Sequence, residues 1–226
     1  MACIGIVGGL GVGATIHYYE KITAACTARG IVPELVFNHA NANTGQVFVR
    51  EGRLDKLGDY LAPYIEQLAT AGAEAVAIPA VTPHIAIAEI MARTRVPLIN
   101  IMETLGAELR AKKLKRVALF GTIYTMQGSL WGQMTDAEIV RLQPDEMTFV
   151  GEAYQRLLDT RTPAPGDVER LREIAATLQK RDGVEAILLA GTDLTVIFDE
   201  ATAGFPCVDV ARLHIDAIVD RLARRE

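Results

Sequence analysis

The segment Glu74-Ala-Val-Ala-Ile-Pro-Ala-Val-Thr-Pro-His84 decides the fold expected for this chain. Residues 75–78 are a continuous apolar run, which is typical of a strand buried on both faces of a parallel sheet. Pro79 ends the run, and the loop that follows carries Thr82 and His84. Parallel α/β proteins place functional groups at the carboxyl ends of their strands, so we expect part of a functional site in this loop.

The same pattern returns in Glu185-Ala-Ile-Leu-Leu-Ala-Gly-Thr-Asp-Leu194, 111 residues later. Counting six residues on from each glutamate pairs Ala80 with Gly191. A second pair, Ile4-Gly-Ile-Val-Gly-Gly9 and Val117-Ala-Leu-Phe-Gly-Thr122, has nearly the same offset, 113 residues. The two offsets predict an internal duplication into two similar α/β domains with parallel sheets. We assign residues 1–100 with 207–226 to the first domain and residues 101–206 to the second.

Composition and charge restrict the class of protein. The chain has 226 residues, half of them apolar, and a net charge of −5, which gives no electrostatic support for a nucleic-acid partner. No apolar run approaches the roughly 20 residues of a membrane span, and the first strand begins without a charged leader. Its three cysteines form no CxxC pair, which fits a reducing compartment. We therefore expect a cytoplasmic protein without a membrane partner.

Hydrophobic periodicity predicts the elements between these segments. Strands are expected at 3–7, 35–38, 75–78, 96–99, 117–120, 186–189 and 206–209. Helices are expected at 14–28, 54–71, 85–94, 102–113, 129–140, 149–158 and 167–180, with Asp167 as a cap, and from 210 to 224. The polar, uncharged stretch 38–46 is either a surface turn or a recognition loop whose amides face a ligand.

Gly8-Gly-Leu-Gly-Val-Gly13 lies between the first strand and the first helix. A glycine loop at a helix start is a common anion site, because backbone N–H groups and the helix dipole face the ligand. The loop also fits the loose dinucleotide pattern, but the acid expected about 20 residues further on is missing. A dinucleotide enzyme is therefore the weakest of three hypotheses.

Several motifs together resemble the aspartate/glutamate racemase superfamily over nearly the whole chain. They are Ile4-Gly-Ile-Val-Gly-Gly-Leu-Gly-x-x-Ala-Thr15 with Tyr18-Tyr19, Ile78-Pro-x-x-Thr-x-His84, Leu119-Phe-Gly-Thr122 with Thr125, Leu188-Leu-Ala-x-Thr-Asp193, and Val208-Asp-x-x-x-x-His214. The resemblance implies two three-layer α/β domains related by a pseudo-twofold, with the active site in the cleft between them. It also implies an amino-acid or small-carboxylate substrate, no cofactor, no metal, and a homodimer.

The chain departs from that family where its chemistry would lie. Such racemases use two cysteines, one after the buried strand of each domain, and these positions are Ala80 and Gly191 here. Neither residue can take or give a proton. The family's carboxylate-holding Asn is Val81, and the Arg that grips a distal carboxylate in the aspartate-specific branch aligns with Gly45.

Other polar residues remain near the predicted strand ends. The acid/base candidates are Thr82, His84, Tyr124 and Asp193. The ligand-binding candidates are Gly9, Leu10, Thr15, Asn43, Gln46, Val81, Thr82, Thr122, Thr125, Arg161 and Thr192. Each also has a structural interpretation: His84 as a helix-start residue, Asp193 as a cap, Tyr124 as a packed aromatic and Arg161 as a solvated side chain. Hydroxyl and N–H donors of this kind suit a carboxylate or an enediolate-like intermediate.

Two further hypotheses follow from the resemblance. The first is a superfamily enzyme that acts on a small acid by racemisation, isomerisation or decarboxylation without a cysteine pair. The second is a catalytically inactive homologue that binds such a ligand.

Overall fold

The computed structural model describes residues 2–224, which form two compact units. The first unit combines the residues up to Ile101 with those from Arg212 onward, and the second runs from Met102 to Ala211. Residues 1, 225 and 226, assigned above to the first domain, lie outside the described residues.

The first unit is built on a four-stranded parallel sheet with the order β2-β1-β3-β4. Its strands are β1 (Cys3–Gly8), β2 (Glu34–His39), β3 (Ala75–Ala77) and β4 (Leu98–Ile99). Ile4, Ile6 and Val76 are fully buried in the two central strands. Such continuous apolar strands are stable only where both faces of the sheet are covered.

The helices of the first unit position the ends of these strands. They are α1 (Val12–Ala28), α2 (Ala42–Arg50), α3 (Leu54–Thr70), α4 (Ile87–Met91) and, at the end of the chain, α9 (Val210–Ala223), whose first two residues belong to the second unit. Leu57, Leu61, Ile65 and Leu68 form the buried face of α3, at the spacing expected for an amphipathic helix.

The second unit repeats the architecture with the strand order β6-β5-β7-β8, again all parallel. Its strands are β5 (Arg116–Phe120), β6 (Glu138–Ile139), β7 (Ala186–Leu189) and β8 (Cys207–Asp209). Its helices are α5 (Ile101–Lys112), α6 (Ile123–Gln127), α7 (Pro144–Thr160) and α8 (Asp167–Asp182). The prediction of two similar α/β halves with parallel sheets is confirmed, because β5 and β7 take the sheet positions that β1 and β3 take in the first unit.

The last strand belongs to the second sheet and not to the first domain as predicted. Residues Cys207, Val208 and Asp209 pair with Ile187, Leu188 and Leu189 of β7. The chain returns to the first unit only at Arg212, inside α9. The sequence placed the return to the first domain between residues 206 and 207. The pairing of a short apolar strand cannot be read from its own residues, so its place in the second sheet was missed.

The stretch 38–46 is not a loop, because α2 begins at Ala42. Asn41 caps this helix, and its side-chain oxygen accepts from the N–H groups of Asn43 and Thr44 at 2.9 and 3.4 Å. Asparagine is favoured both in turns and at helix N-caps, and here Asn41 is an N-cap.

The helix predicted at 129–140 is also wrong. Ser129, Leu130 and Trp131 have φ of 47°, 53° and 54°, so the chain makes a left-handed turn before β6. Left-handed residues with a side chain are strained, but Leu130 is fully buried, and its burial offsets part of that strain.

Three boundaries differ in smaller ways. The helix predicted at 85–94 is a 3-10 helix, Thr82–Ala86, followed by the short α4. Helix α7 begins at Pro144, five residues before the predicted start. Helix α8 begins at Asp167, so its cap is Gly166 and not Asp167 as predicted. The Asp167 carboxylate instead accepts two hydrogen bonds from Arg156 at 2.7 and 3.0 Å.

Among the described residues, no helix has the length and apolar character needed to cross a membrane. Residues 2–224 also contain no group of three or more His, Cys, Asp or Glu side chains arranged to hold a metal ion.

Candidate functional site

The turn after β3 in the first unit is closed by its own hydrogen bonds. The N–H of Ala80 donates to the carbonyl of Ile78 at 2.7 Å, and the N–H of His84 donates to the carbonyl of Val81 at 3.0 Å. The His84 Nδ1 atom lies 2.9 Å from the carbonyl oxygen of Ala80. A carbonyl only accepts, so Nδ1 carries the hydrogen, and the imidazole holds the turn in place.

His84 belongs to a buried aromatic group that includes a second histidine. Its ring lies edge-on to that of His214 on α9, with centroids 6.5 Å apart. His214 Nε2 donates to the carbonyl of Ile99 at 2.7 Å, which leaves Nδ1 to accept from the Tyr18 hydroxyl at 3.1 Å. Burial lowers the pKa of His84 to about 4 and that of His214 to about 3. Both rings are therefore neutral near pH 7, which favours the structural interpretation of His84.

The remaining side chains of this turn offer little acid or base chemistry. Ala80 is 8% exposed and Val81 is buried, and neither can exchange a proton. The Thr82 hydroxyl begins the 3-10 helix and is half-buried. Of the predicted residues, Val81, Thr82 and His84 lie in this turn, which is closed by hydrogen bonds within it.

Two of the donors in the glycine loop after β1 form hydrogen bonds within the loop. The Gly9 N–H donates to the Thr15 hydroxyl at 3.0 Å, and that hydroxyl donates to the Gly11 carbonyl at 2.8 Å. The prediction that these two donors face a ligand is therefore not supported by their hydrogen bonds. Gly9 has φ of +83°, and a Cβ there would lie 2.3 Å from the Ala40 carbonyl oxygen, so this position requires glycine. Leu10 is half-buried at the start of the loop.

Helix α2 carries the residues predicted to recognise a ligand after β2. Asn43 is exposed and Gln46 is half-buried, while Gly45 lies buried against α3. A Cβ on Gly45 would meet the Leu57 side chain at 3.7 Å, an ordinary contact. Asn43 and Gln46 carry no charge, and the exposed Arg50 lies one turn beyond Gln46 on the same side of α2.

The end of β5 in the second unit carries the predicted threonines. Thr122 caps α6 by accepting the N–H of Thr125 at 3.1 Å, and the two hydroxyl oxygens are 2.9 Å apart. Thr125 is fully buried and Tyr124 is half-buried between them. The predicted donors are thus close together, with the Thr122 oxygen engaged by the backbone.

The turn after β7 contains a group that the sequence analysis missed. Tyr154, on α7, is 4% exposed, and its hydroxyl donates to Asp193 Oδ2 at 3.4 Å. Burial and the Asp193 carboxylate raise the pKa of Tyr154 well above its usual value, while the Asp193 N–H and the Thr192 hydroxyl oppose that shift. The phenol therefore stays protonated and is a hydrogen-bond donor to a buried acid.

The Tyr154 ring also leaves no room for a side chain at position 191. Its φ of −107° and ψ of 110° are open to any residue. A Cβ built on Gly191 would nevertheless lie 2.2 Å from Tyr154 Cε2 and 2.7 Å from Cζ. The tyrosine ring thus occupies the space of a side chain at position 191. The Gly191 N–H donates to the Phe120 carbonyl at 3.0 Å and is not directed at a ligand.

The two turns are not aligned by an equal count along the chain. The Ala80 N–H to Ile78 carbonyl bond of the first turn corresponds to the Ala190 N–H to Leu188 carbonyl bond, at 2.8 Å, in the second. The 3-10 helices that follow begin at Thr82 and Thr192. The second turn is therefore one residue shorter than the strand pairing alone suggests.

Arg161 and the cysteines lie outside these turns. Arg161 is exposed at the end of α7 in a left-handed conformation, with φ of 58°. Burial raises the pKa of the thiols of Cys3, Cys26 and Cys207, the last to about 11. None of the three is a thiolate near pH 7.

A family profile described as Asp/Glu/hydantoin racemase matches residues 7–218. The chain belongs to this racemase family. The resemblance in the sequence motifs is therefore confirmed, although a racemase-family member with Ala80 and Gly191 lacks the thiol at both positions that the resemblance implies.

Solved structures with the same fold extend over nearly the whole chain. A candidate Asp/Glu racemase from Yersinia pestis is 22% identical with a TM-score of 0.86, and the match covers 99% of this chain and 100% of that one. An aspartate racemase homologue from Pyrococcus horikoshii OT3 is 23% identical with a TM-score of 0.78 and the same coverage. An aspartate racemase from Picrophilus torridus is 20% identical with a TM-score of 0.79, covering 100% and 96%. At these identities the likeness shows the α/β racemase fold.

Tyr154 could not be found by motif, since it lies on a helix well before the turn that it contacts. The only signal was indirect: a glycine stands at position 191 without a backbone reason for it, and only the folded chain shows what excludes a side chain.

Proposed function

We propose that this racemase-family protein binds an amino acid or small carboxylic acid and catalyses cofactor-independent isomerase-type chemistry that is not based on a cysteine pair. The binding place proposed is the interdomain cleft that the family resemblance implies. The observation that carries the proposal is the buried Tyr154–Asp193 pair beside Gly191. A buried acid with a phenol donor lies two residues after Gly191, where the resemblance implies a thiol, and such pairs often mark functional sites.

In this proposal Asp193 takes the α-proton of the bound acid, exchanges it for a solvent proton and returns that proton to the same face of the α-carbon. The electron pair left on the α-carbon delocalises into the carboxylate, and the hydroxyl groups of Thr192 and Thr82 stabilise the resulting enediolate. No redox partner is needed, because a proton and the electron pair both return to carbon. The turn after β3 has no carboxylate, thiol or phenol to deliver a proton to the other face.

That asymmetry defines the experiment. The protein is incubated in D2O with L-aspartate, L-glutamate, L-asparagine, L-alanine and malonate, and proton NMR follows deuterium at the α-carbon while chiral chromatography follows inversion. We expect deuterium to enter at least one amino acid faster than its configuration inverts. Asp193→Asn is the matched variant, and it should abolish the exchange.

A second candidate function is a catalytically inactive homologue that binds a small acid. The neutral, hydrogen-bonded His84 and the apolar Ala80 and Val81 favour it, since one half of the proposed site has no proton carrier. Calorimetric binding of a member of the panel, without deuterium exchange, would favour this function over catalysis.

We further propose that the protein acts as a cytoplasmic homodimer. Val12, Ile16 and Tyr19 are exposed on one face of α1 and are apolar or aromatic, and the exposed Phe37 ring packs edge-on against Tyr19 with centroids 5.7 Å apart. Contiguous exposed apolar groups of this kind mark interaction surfaces.

A further inference from the structure

We propose that Tyr154 is the specificity-determining residue of the second half of the site: its ring replaces a side chain at position 191, and its hydroxyl positions Asp193. The first part concerns shape and stands on its own. The second part rests on the proposed function, because it assigns Asp193 to the ligand.

The backbone of Gly191 has an ordinary extended conformation. An extended φ of −107° accepts any residue, so the conformation of the chain gives no reason for glycine here. The ring edge of Tyr154, formed by Cδ2, Cε2 and Cζ, would lie 2.2–2.7 Å from a Cβ at this position. A buried ring on a helix cannot move aside without disturbing the packing around it, so ring and glycine form a matched pair.

The Tyr154 phenol has a single hydrogen to donate. It is donated to Asp193 Oδ2, and the same hydroxyl lies close to the Asp193 N–H and the Thr192 hydroxyl. These groups all belong to the short turn after β7. The phenol therefore holds both the carboxylate and the backbone of that turn from a different helix, a role that a side chain at 191 could not fill from within the turn.

The turn after β3 in the first half of the chain is held by one of its own residues. There the residue that holds the turn is His84, which lies within it and donates to the Ala80 carbonyl. A Cβ is present at Ala80, whereas position 191 has none. Tyr154 thus makes the two halves chemically different. A ligand of the second half pairs with the Asp193 carboxylate, beside a turn from which the ring excludes a side chain at position 191.

The steric part is tested by thermal unfolding of four proteins: wild type, Gly191→Ala, Tyr154→Ala and the double variant. Gly191→Ala should lower the Tm by about 5 °C in the wild type, because it overpacks the ring. It should change the Tm by less than about 1 °C when Tyr154 is Ala. Tyr154→Val repeats the cycle if the alanine variant does not fold. Gly151→Ala, on the same helix with its nearest contact at 3.5 Å, is the control and should not lower the Tm.

The polar part is tested with Tyr154→Phe, which keeps the ring and removes the hydroxyl. On the amino acid that the wild type exchanges fastest in D2O, kcat for exchange should fall about tenfold or more while KM changes less than about threefold. A structural role alone would lower the Tm and leave the kcat of the folded enzyme unchanged. If the wild type exchanges nothing, the calorimetric Kd of the tightest-binding member of the panel replaces kcat and should rise.

The possible outcomes separate the two proposals. An equal loss of Tm on Gly191→Ala in both backgrounds overturns the matched pair. Unchanged kcat, or unchanged Kd, in Tyr154→Phe overturns the positioning of Asp193. A wild type that neither exchanges nor binds any member overturns the proposed function and with it the positioning of Asp193, while the thermal cycle still decides the matched pair.

Discussion

The Nδ1 atom of His84 donates to the carbonyl oxygen of Ala80 across 2.9 Å, and this bond closes the turn that follows β3. The same imidazole is buried and has a lowered pKa, so its role is to hold the backbone in place. His84→Leu should therefore destabilise the protein by about 2 kcal/mol, because it leaves a buried carbonyl without a donor. His84→Asn, whose amide can reach the same carbonyl, should lose less, and urea unfolding measures both. Equal losses in the two variants would show that the hydrogen bond is not what stabilises the turn.

Stability should fall as the pH is lowered from neutrality, because two buried histidines resist protonation. In the unfolded chain they take up protons near pH 6.5, whereas in the folded protein His84 stays neutral to about pH 4 and His214 to about pH 3. The unfolded state thus binds more protons in this window, and the free energy of unfolding falls by about 1.4 kcal/mol per pH unit for each histidine.

Urea unfolding between pH 6.5 and 4.5 measures this slope with little contribution from the carboxylates. The pKa of Asp167, for example, is lowered by Arg156 from 3.8, so its loss of stability begins at a lower pH. His214→Gln should lower the slope between pH 6.5 and 4.5, and the slope that remains belongs to His84 and to His17, whose pKa is also lowered by burial. A slope that is unchanged in this variant would contradict the assignment of the effect to the histidines.

Cysteines introduced at positions 80 and 191 should not give racemisation unless Tyr154 is also replaced. Ala80→Cys is expected to be nearly neutral, but Gly191→Cys places atoms within 2.2 Å of the Tyr154 ring and should cost about 1–3 kcal/mol. Ala80→Cys/Gly191→Cys should not racemise L-aspartate or L-glutamate. Adding Tyr154→Ala should remove the clash at position 191, at a separate cost in core packing, and permit racemisation, followed by chiral chromatography. Racemisation by the double variant itself would show that the ring moves aside freely.

Aspartate and glutamate should bind weakly. Asn43 and Gln46 carry no charge, and the family resemblance places Gly45 at the position of the arginine that grips the distal carboxylate in the aspartate-specific branch. Isothermal titration calorimetry with L-aspartate should give a Kd in or above roughly the millimolar range, close to −4 kcal/mol. L-Asparagine is the matched neutral ligand. Micromolar binding of L-aspartate would contradict the prediction.

The exposed face of α1 should mediate self-association. Ile16→Glu with Tyr19→Glu introduces two like charges into that face and should convert a dimer into a monomer in sedimentation velocity. Val32→Glu is the control, since Val32 is 74% exposed and lies outside α1. Dissociation by the control alone would place the interface elsewhere, and a monomeric wild type would contradict the proposal of a dimer.

The candidate site shows where reasoning along the chain succeeds and where it stops. The strand ends could be predicted because each turn follows a continuous apolar run, and Ala80, Thr82, Thr122 and Thr192 all lie at such ends. Gly9 and Thr15 were assigned to a ligand because their residue types suit anions, but their hydrogens are used within the loop. Donor types can be seen in a sequence, whereas donor directions depend on the backbone.

By itself, the sequence determined two parallel α/β halves, the family to which the chain belongs and the absence of both expected cysteines, because apolar runs and short motifs are local properties. Tertiary structure alone decided that β8 pairs with β7, that a left-handed turn replaces the helix predicted at 129–140, and that Tyr154 fills the space beside Gly191. The β8–β7 pairing and the Tyr154–Gly191 contact join residues that are distant in the chain. Side-chain volume and hydrogen-bond geometry fix such contacts only once the helices and strands have packed.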